Sequence, residues 1–207
     1  MQIEQTALEG VMILTPKRFG DDRGWFSETW NADTMAQAGL GLGFVQDNHS
    51  MSAAVGTLRG LHYQAPPRAQ DKLVRCTAGV IFDVAVDFRR GSPTFAHWVG
   101  VELSAQNGRQ LLVPKGFLHG FVTRAANTEV QYKCTDLYAP DCDGAVRWDD
   151  PQIGIDWGVT SPLRWRAVAG RWWCTITTRR KTLKQPWPSA RNSTPTARIT
   201  AYAPTSA

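Results

Sequence analysis

The stretch from Gly56 to Asp87, GTLRGLHYQAPPRAQDKLVRCTAGVIFDVAVD, most narrows what this chain can fold into. Its end, from Val80 to Asp87, is β-branched and aromatic and reads as a buried strand. Ahead of it an arginine (Arg59), a histidine (His62) and a lysine (Lys72) stand among alternating apolar residues, where a sheet face should be dry. Burial pushes an imidazole and an ammonium toward neutrality unless an anionic ligand compensates. Ionisable groups kept in such a place point to chemistry.

The same strand rhythm runs along the chain. Met12 to Leu14, followed by Pro16, suggests a short strand. From Phe19 to Asn31 the sequence is FGDDRGWFSETWN: Gly20, Asp21, Asp22 and Gly24 make a turn, and Trp25-Phe26 begin an aromatic strand flanked by Arg23 and Glu28. The run Ala32 to Leu40 predicts a short helix capped by Asn31. Phe44 to Ser50 reads as a strand ending in a polar loop. Beyond the central stretch, Trp98 to Leu103, Gln110 to Val113, Phe117 to Val122 and Glu129 to Tyr132 are strand-like, with turns at Ser104 to Gly108 and Pro114 to Gly116. Strands of about five residues between Gly, Pro and Asp turns, with little helix, predict an antiparallel barrel or sandwich.

A chain of 207 residues can form one such domain. The net charge of +5 belongs to one end: all 18 acidic residues lie at or before Asp156, whereas basic residues continue to Arg198. The mildly acidic body argues against nucleic-acid binding. The four cysteines, Cys76, Cys134, Cys142 and Cys174, form no CxxC pair, so neither a zinc site nor a disulfide framework is expected. Acids occupy the N-terminus where a secretory signal needs a basic flank, and no apolar run reaches the roughly 18 residues a membrane span requires. The expectation is a cytoplasmic protein with no membrane partner.

The spacing Gly108-x5-Pro114-x-Gly116-x2-His119 fits the second motif of the cupin superfamily, a double-stranded β-helix or jelly-roll barrel. The first motif is degenerate. His62-Tyr63-Gln64 replaces the usual His-x-His, and Lys72 stands where a metal-binding cupin offers Glu. A lysine repels a divalent cation at that position, so the interior suits an anion or a developing oxyanion.

The blocks FGDDRGWFSETWN, FVQDNHS, LRGLHYQ, KLVRC, FDVAVD, RRGSPTF, PKGFLHGF and EVQYK resemble, in order, the dTDP-4-dehydrorhamnose 3,5-epimerase family. The resemblance covers roughly residues 1–158. It implies an all-β cupin barrel with a few short helices, homodimeric and free of metal and cofactor. The implied activity inverts C3 and C5 of a dTDP-4-keto-6-deoxyhexose, in the pathway that supplies dTDP-rhamnose for cell-surface polysaccharide such as lipopolysaccharide. Both carbons lie α to the C4 ketone, so removing either proton gives an enolate whose charge falls on the ketone oxygen. A histidine near its ordinary pKa of about 6.5 is a suitable base, and the resemblance gives that role to His62. It gives Lys72 the stabilisation of the enolate and Tyr132 the delivery of a proton on the opposite face. From strand pattern alone Tyr132 is an ordinary core aromatic, and Arg23 with Glu28 a solvent-facing pair. Arg59 suits bidentate phosphate recognition, with His119 as its neighbour. By resemblance Arg23, Glu28, Gln46 and Asn48 hold the nucleotide or sugar, Phe19, Phe26 or Tyr138 offer apolar surface, and Asp143 contacts substrate.

One departure bears on the reaction. The family continues with a Leu-Ser-x-Lys-Asp segment whose Asp orients the base histidine, and here no acid follows Asp156. Losing such a partner costs an imidazole base its tautomer and much of its rate. Asp83 on the core strand is a possible substitute. Residues 159–207 are read as an atypical basic tail, poorly ordered and resembling an altered reading frame. The departure keeps two other functions in view: a relative epimerising C3 or C5 alone, and a non-catalytic cupin that binds a nucleotide sugar.

Overall fold

In the computed structural model, which describes residues 1–164, the chain forms fourteen strands and one short α-helix. They are β1 (Gln2–Gln5), β2 (Met12–Thr15), β3 (Phe19–Asp21), β4 (Gly24–Phe26), α1 (Ala32–Gln37), β5 (Gln46–Ser52), β6 (Thr57–Gln64), β7 (Lys72–Ala78), β8 (Val80–Asp87), β9 (Trp98–Ser104), β10 (Gln110–Val113), β11 (Phe117–Thr123), β12 (Thr128–Cys134), β13 (Asp143–Ala145) and β14 (Leu163–Arg164). A 3-10 turn at Pro140–Cys142 precedes β13.

Two sheets make the barrel. The first runs β1-β2-β10-β7-β12-β5, and the second β13-β6-β11-β8-β9, with β14 parallel to β6; β3 and β4 form a separate hairpin. Every other pairing is antiparallel, the topology expected of a jelly roll. Alternation along the strands sends one set of side chains inward. Ile13, Val74, Cys76, Ile81, Ala85, Val101, Leu111, Phe117, Phe121 and Val130 form that core between the sheets.

The outward faces are covered too. Outside the first sheet, Met35 of α1 packs with Leu14, Leu73 and Leu112, beside Trp30, Leu40 and Phe44. Asn31 caps this helix by accepting from the Thr34 amide, as the sequence predicts. Outside the second sheet the chain after β13 lays Val146, Ile153 and Trp157 over Leu58, Leu61, Val84, Val86 and Leu118. Each such fully buried aliphatic side chain contributes about 1.5–3 kcal/mol. Val159 still packs against this layer and Leu163–Arg164 pair with Thr57 and Leu58, so the first residues of the stretch read as a tail are joined to the barrel. The rest of that stretch lies outside the described residues.

The polar run after Phe44 departs from expectation. It continues as strand β5 to Ser52, where a loop was expected from Asp47 onward. Its amide and hydroxyl side chains sit at alternate positions because their face of the strand lines a polar interior rather than a dry one.

Candidate active site

Residues opposite one another in an antiparallel ladder share a face, so the registers show what meets inside the barrel. Tyr132 lies between Asn48 on β5 and Val74 on β7, and Cys134 between Gln46 and Lys72. His119 lies between His62 on β6 and Ala85 on β8, and Phe121 between Arg59 and Asp83. Val74, Ala85 and Phe121 belong to the inner core, so that shared face is the interior. Asp143 is opposite Gln64, one step along the same face from His62. Of the residues the sequence nominates, Gln46, Asn48, Arg59, His62, Lys72, His119, Tyr132 and Asp143 are thus brought to one face.

Arg59 and His62 reach it together through a bulge. They are three positions apart and would face opposite ways in a regular strand, but the register of β6 on β11 slips between them. The slip occurs where two glycines meet. A Cβ on Gly60, whose φ is +126°, would stand 2.5 Å from the Gly120 Cα and 2.8 Å from the His119 carbonyl oxygen. Only glycine tolerates both the backbone conformation and the approach.

The interior is graded in depth. Asp83 and His119 are deepest, and His119 Nε2 lies 2.8 Å from Asp83 Oδ1. The expectation of Asp83 as a substitute orienting carboxylate for His62 is therefore corrected: its hydrogen bond goes to His119. Lys72, Tyr132 and Arg59 are half-buried, and His62 is exposed at the rim. Burial pushes the Lys72 pKa below the ordinary ammonium value, against the opposing pull of Cys134 and Asp83. Burial also raises the Tyr132 phenol, as does Cys134, while the Arg59 guanidinium holds it down. The Cys134 thiol, which accepts from Asn48 Nδ2 at 3.6 Å, is raised by burial and lowered by Lys72. Gln46 donates to Asn48 Oδ1 at 3.0 Å and accepts from the Tyr138 amide at 2.8 Å, which fixes both amides of β5.

Arg23 and Glu28 are not brought into this interior. They belong to the β3–β4 hairpin and its exit, outside the first sheet. Arg18 anchors that hairpin to the β9–β10 turn through the carbonyls of Ala105 and Gln106, and Gln110 donates to the Thr29 carbonyl. Arg23, with a side chain 90% exposed, pairs with Asp21, and Glu28 accepts from Asn31 Nδ2. Phe19 and Phe26 are exposed on the same hairpin, and Tyr138 is half exposed beside Gln46. The sequence reading missed Ser52 and Cys134. The alternation Gln46, Asn48, Ser50, Ser52 and the parity of Tyr132 with Cys134 would have found both.

Chemically, the barrel offers an imidazole at its mouth, an ammonium and a phenol within, and a guanidinium beside the phenol. Such a set can remove a proton next to a carbonyl, hold the resulting oxyanion and return a proton, with a phosphate site at hand. These features define a cupin-type barrel built for acid–base work on an anionic substrate.

The comparisons make the class specific. The family model for dTDP-4-dehydrorhamnose 3,5-epimerase matches residues 5–176, and the chain belongs to that family. It is 52% identical to the dTDP-4-dehydrorhamnose 3,5-epimerase of Salmonella typhimurium over 158 residues, 76% of this chain and 86% of that protein. Its fold is similar to that of the Bacillus anthracis enzyme with TDP and pyrophosphate bound, with a TM-score of 0.78 and 48% identity, covering 79% of this chain and 94% of the other. It is also similar to that of the Legionella pneumophila enzyme in complex with dTDP-4-keto-L-rhamnose, with a TM-score of 0.76 and 46% identity over 80% of this chain and 88% of the other.

Proposed function

We propose that this barrel converts dTDP-4-dehydro-6-deoxy-D-glucose to dTDP-4-dehydro-L-rhamnose by inverting C3 and C5 in turn. The observation that carries this reading is the shared interior face of His62, Lys72, Tyr132 and Arg59. His62, at the mouth, removes the α-proton from C3 or C5. Lys72, as the ammonium, holds the enolate oxygen at C4, and Tyr132 returns a proton to the opposite face of the ring. Arg59 takes the diphosphate, His119 and Asp143 border the sugar, and Gln46 and Asn48 present amides to the nucleotide or sugar.

Arg23 and Glu28 lie outside their own barrel, so their role in binding requires the barrel of a second copy. The hairpin that carries them exposes Trp25 (60%) and Phe26 (69%), aromatic surface suited to burial in a homodimer. Free thiols at Cys76, Cys134 and Cys142 accord with a reducing cytoplasm, where the product would feed rhamnose-containing cell-surface polysaccharide.

Exchange of solvent deuterium into dTDP-4-keto-6-deoxyglucose tests the reading. Incorporation at both C3 and C5 is expected, and its abolition in His62→Ala. Incorporation at one carbon would assign single-position epimerisation, and none would leave a binding module. One observation favours that last outcome: residues 157–207 contain no acid to play the part of the family's orienting Asp.

A further inference from the structure

Arg59 starts on β6 in the second sheet and ends on β5, the edge strand of the first. There its Nε donates to Ser52 Oγ at 3.1 Å and its Nη2 to the Met51 carbonyl at 2.9 Å. Ser52 is 4% exposed and lies on the inner face of β5, in step with Gln46 and Asn48. A guanidinium is a rigid planar fork. Fixing Nε and one Nη therefore sets the direction of its remaining N–H groups. An arginine left unheld must be ordered by the ligand itself, and affinity falls accordingly.

We propose that Ser52 is a positioning residue for substrate: by accepting from Arg59 Nε it pre-aligns the guanidinium for the diphosphate of the dTDP-sugar. The inference rests on reading the barrel as the dTDP-sugar site. The competing role for Ser52 is a strand serine that matters only to stability, and it predicts no selective effect on the nucleotide.

TDP binding by calorimetry and the steady-state kinetics of epimerisation are measured for the full chain and its variants. Ser52→Ala is expected to weaken TDP binding about tenfold, the value of one hydrogen bond to a charged group. KM should rise in parallel while kcat falls by less than about threefold. Ser52→Thr, which keeps the hydroxyl, should bind TDP within about threefold of wild type. In an Arg59→Lys background, with no Nε for Ser52 to receive, the alanine change should cost less than about threefold. If the alanine variant does not fold, Ser52→Cys, of similar size and a weaker acceptor, should lose about threefold in TDP affinity. Unchanged TDP affinity in Ser52→Ala, or a tenfold loss that persists in the lysine background, would overturn the inference. A wild-type chain that neither binds TDP nor exchanges deuterium would remove the parent reading as well, so the two failures are told apart.

Discussion

His119 Nε2 and Asp83 Oδ1 lie 2.8 Å apart inside the barrel, tying β11 to β8. The Asp83 carboxylate is 0% exposed, and its other oxygen, Oδ2, has no hydrogen-bond partner. A buried carboxylate in that condition is stable only with compensation, and Asp83 and Lys72 act on each other electrostatically. Asp83→Ala takes from the His119 imidazole its partner and from Lys72 a favourable negative charge. We expect a loss of about 3 kcal/mol in urea denaturation, and a loss below about 1 kcal/mol would show that His119 finds another partner.

Lys72 should act in chemistry more than in binding. Lys72→Met is expected to lower kcat about a hundredfold, the scale of removing one oxyanion donor, and single-turnover measurement of C3 inversion reads it. The direction of its pKa also gives a pH dependence. Burial lowers the folded-state value below 10.5, so between the two values the unfolded chain holds the proton and the folded chain does not. Stability contributed by this group therefore rises with pH across that window and levels off above 10.5. Lys72→Met should flatten that rise, as followed by thermal unfolding at a series of alkaline pH values.

At Gly60 the backbone of β6 lies against β11 with no room for a Cβ. Gly60→Ala forces a Cβ against the Gly120 Cα and the His119 carbonyl oxygen at a φ of +126°. The cost should reach about 3 kcal/mol. Because β6 carries both Arg59 and His62, TDP affinity and deuterium exchange should fall together. A variant with wild-type stability would mean that the strands separate freely.

The β3–β4 hairpin gives a test of assembly. Replacing Trp25 and Phe26 together by serine should convert a dimer to a monomer in sedimentation, with KM rising as Arg23 and Glu28 leave the partner's barrel. Dimerisation that survives the double change would place the interface elsewhere.

Most of the architecture is legible in the sequence because strand alternation and turn residues are local signals. The Asn31 cap, the aromatic hairpin and the strands from β8 to β12 follow from them directly. β5 was harder: a polar strand looks like a loop when the face it lines is itself polar, as it is for Gln46, Asn48 and Ser52. The facing of Arg59 and His62 could not be read from period two, since a bulge at Gly60 changes the parity between them. Arg23 and Glu28 are candidates by resemblance alone, and their place on the hairpin, paired with Asp21 and Asn31 outside the barrel interior, follows from packing that local signals do not carry. The Asp83–His119 pair depends on the register of β8 with β11, which sequence does not specify.

The extra residue in β6 reconciles a three-position separation in the sequence with a shared face in the barrel. Deleting one residue at Gly60 would restore a regular ladder in which Arg59 and His62, then two positions apart, still face Phe121 and His119 from the inner side. A chain without the bulge could thus present the same two side chains to the cavity from positions two apart, and alignment by residue identity would record the difference only as a gap.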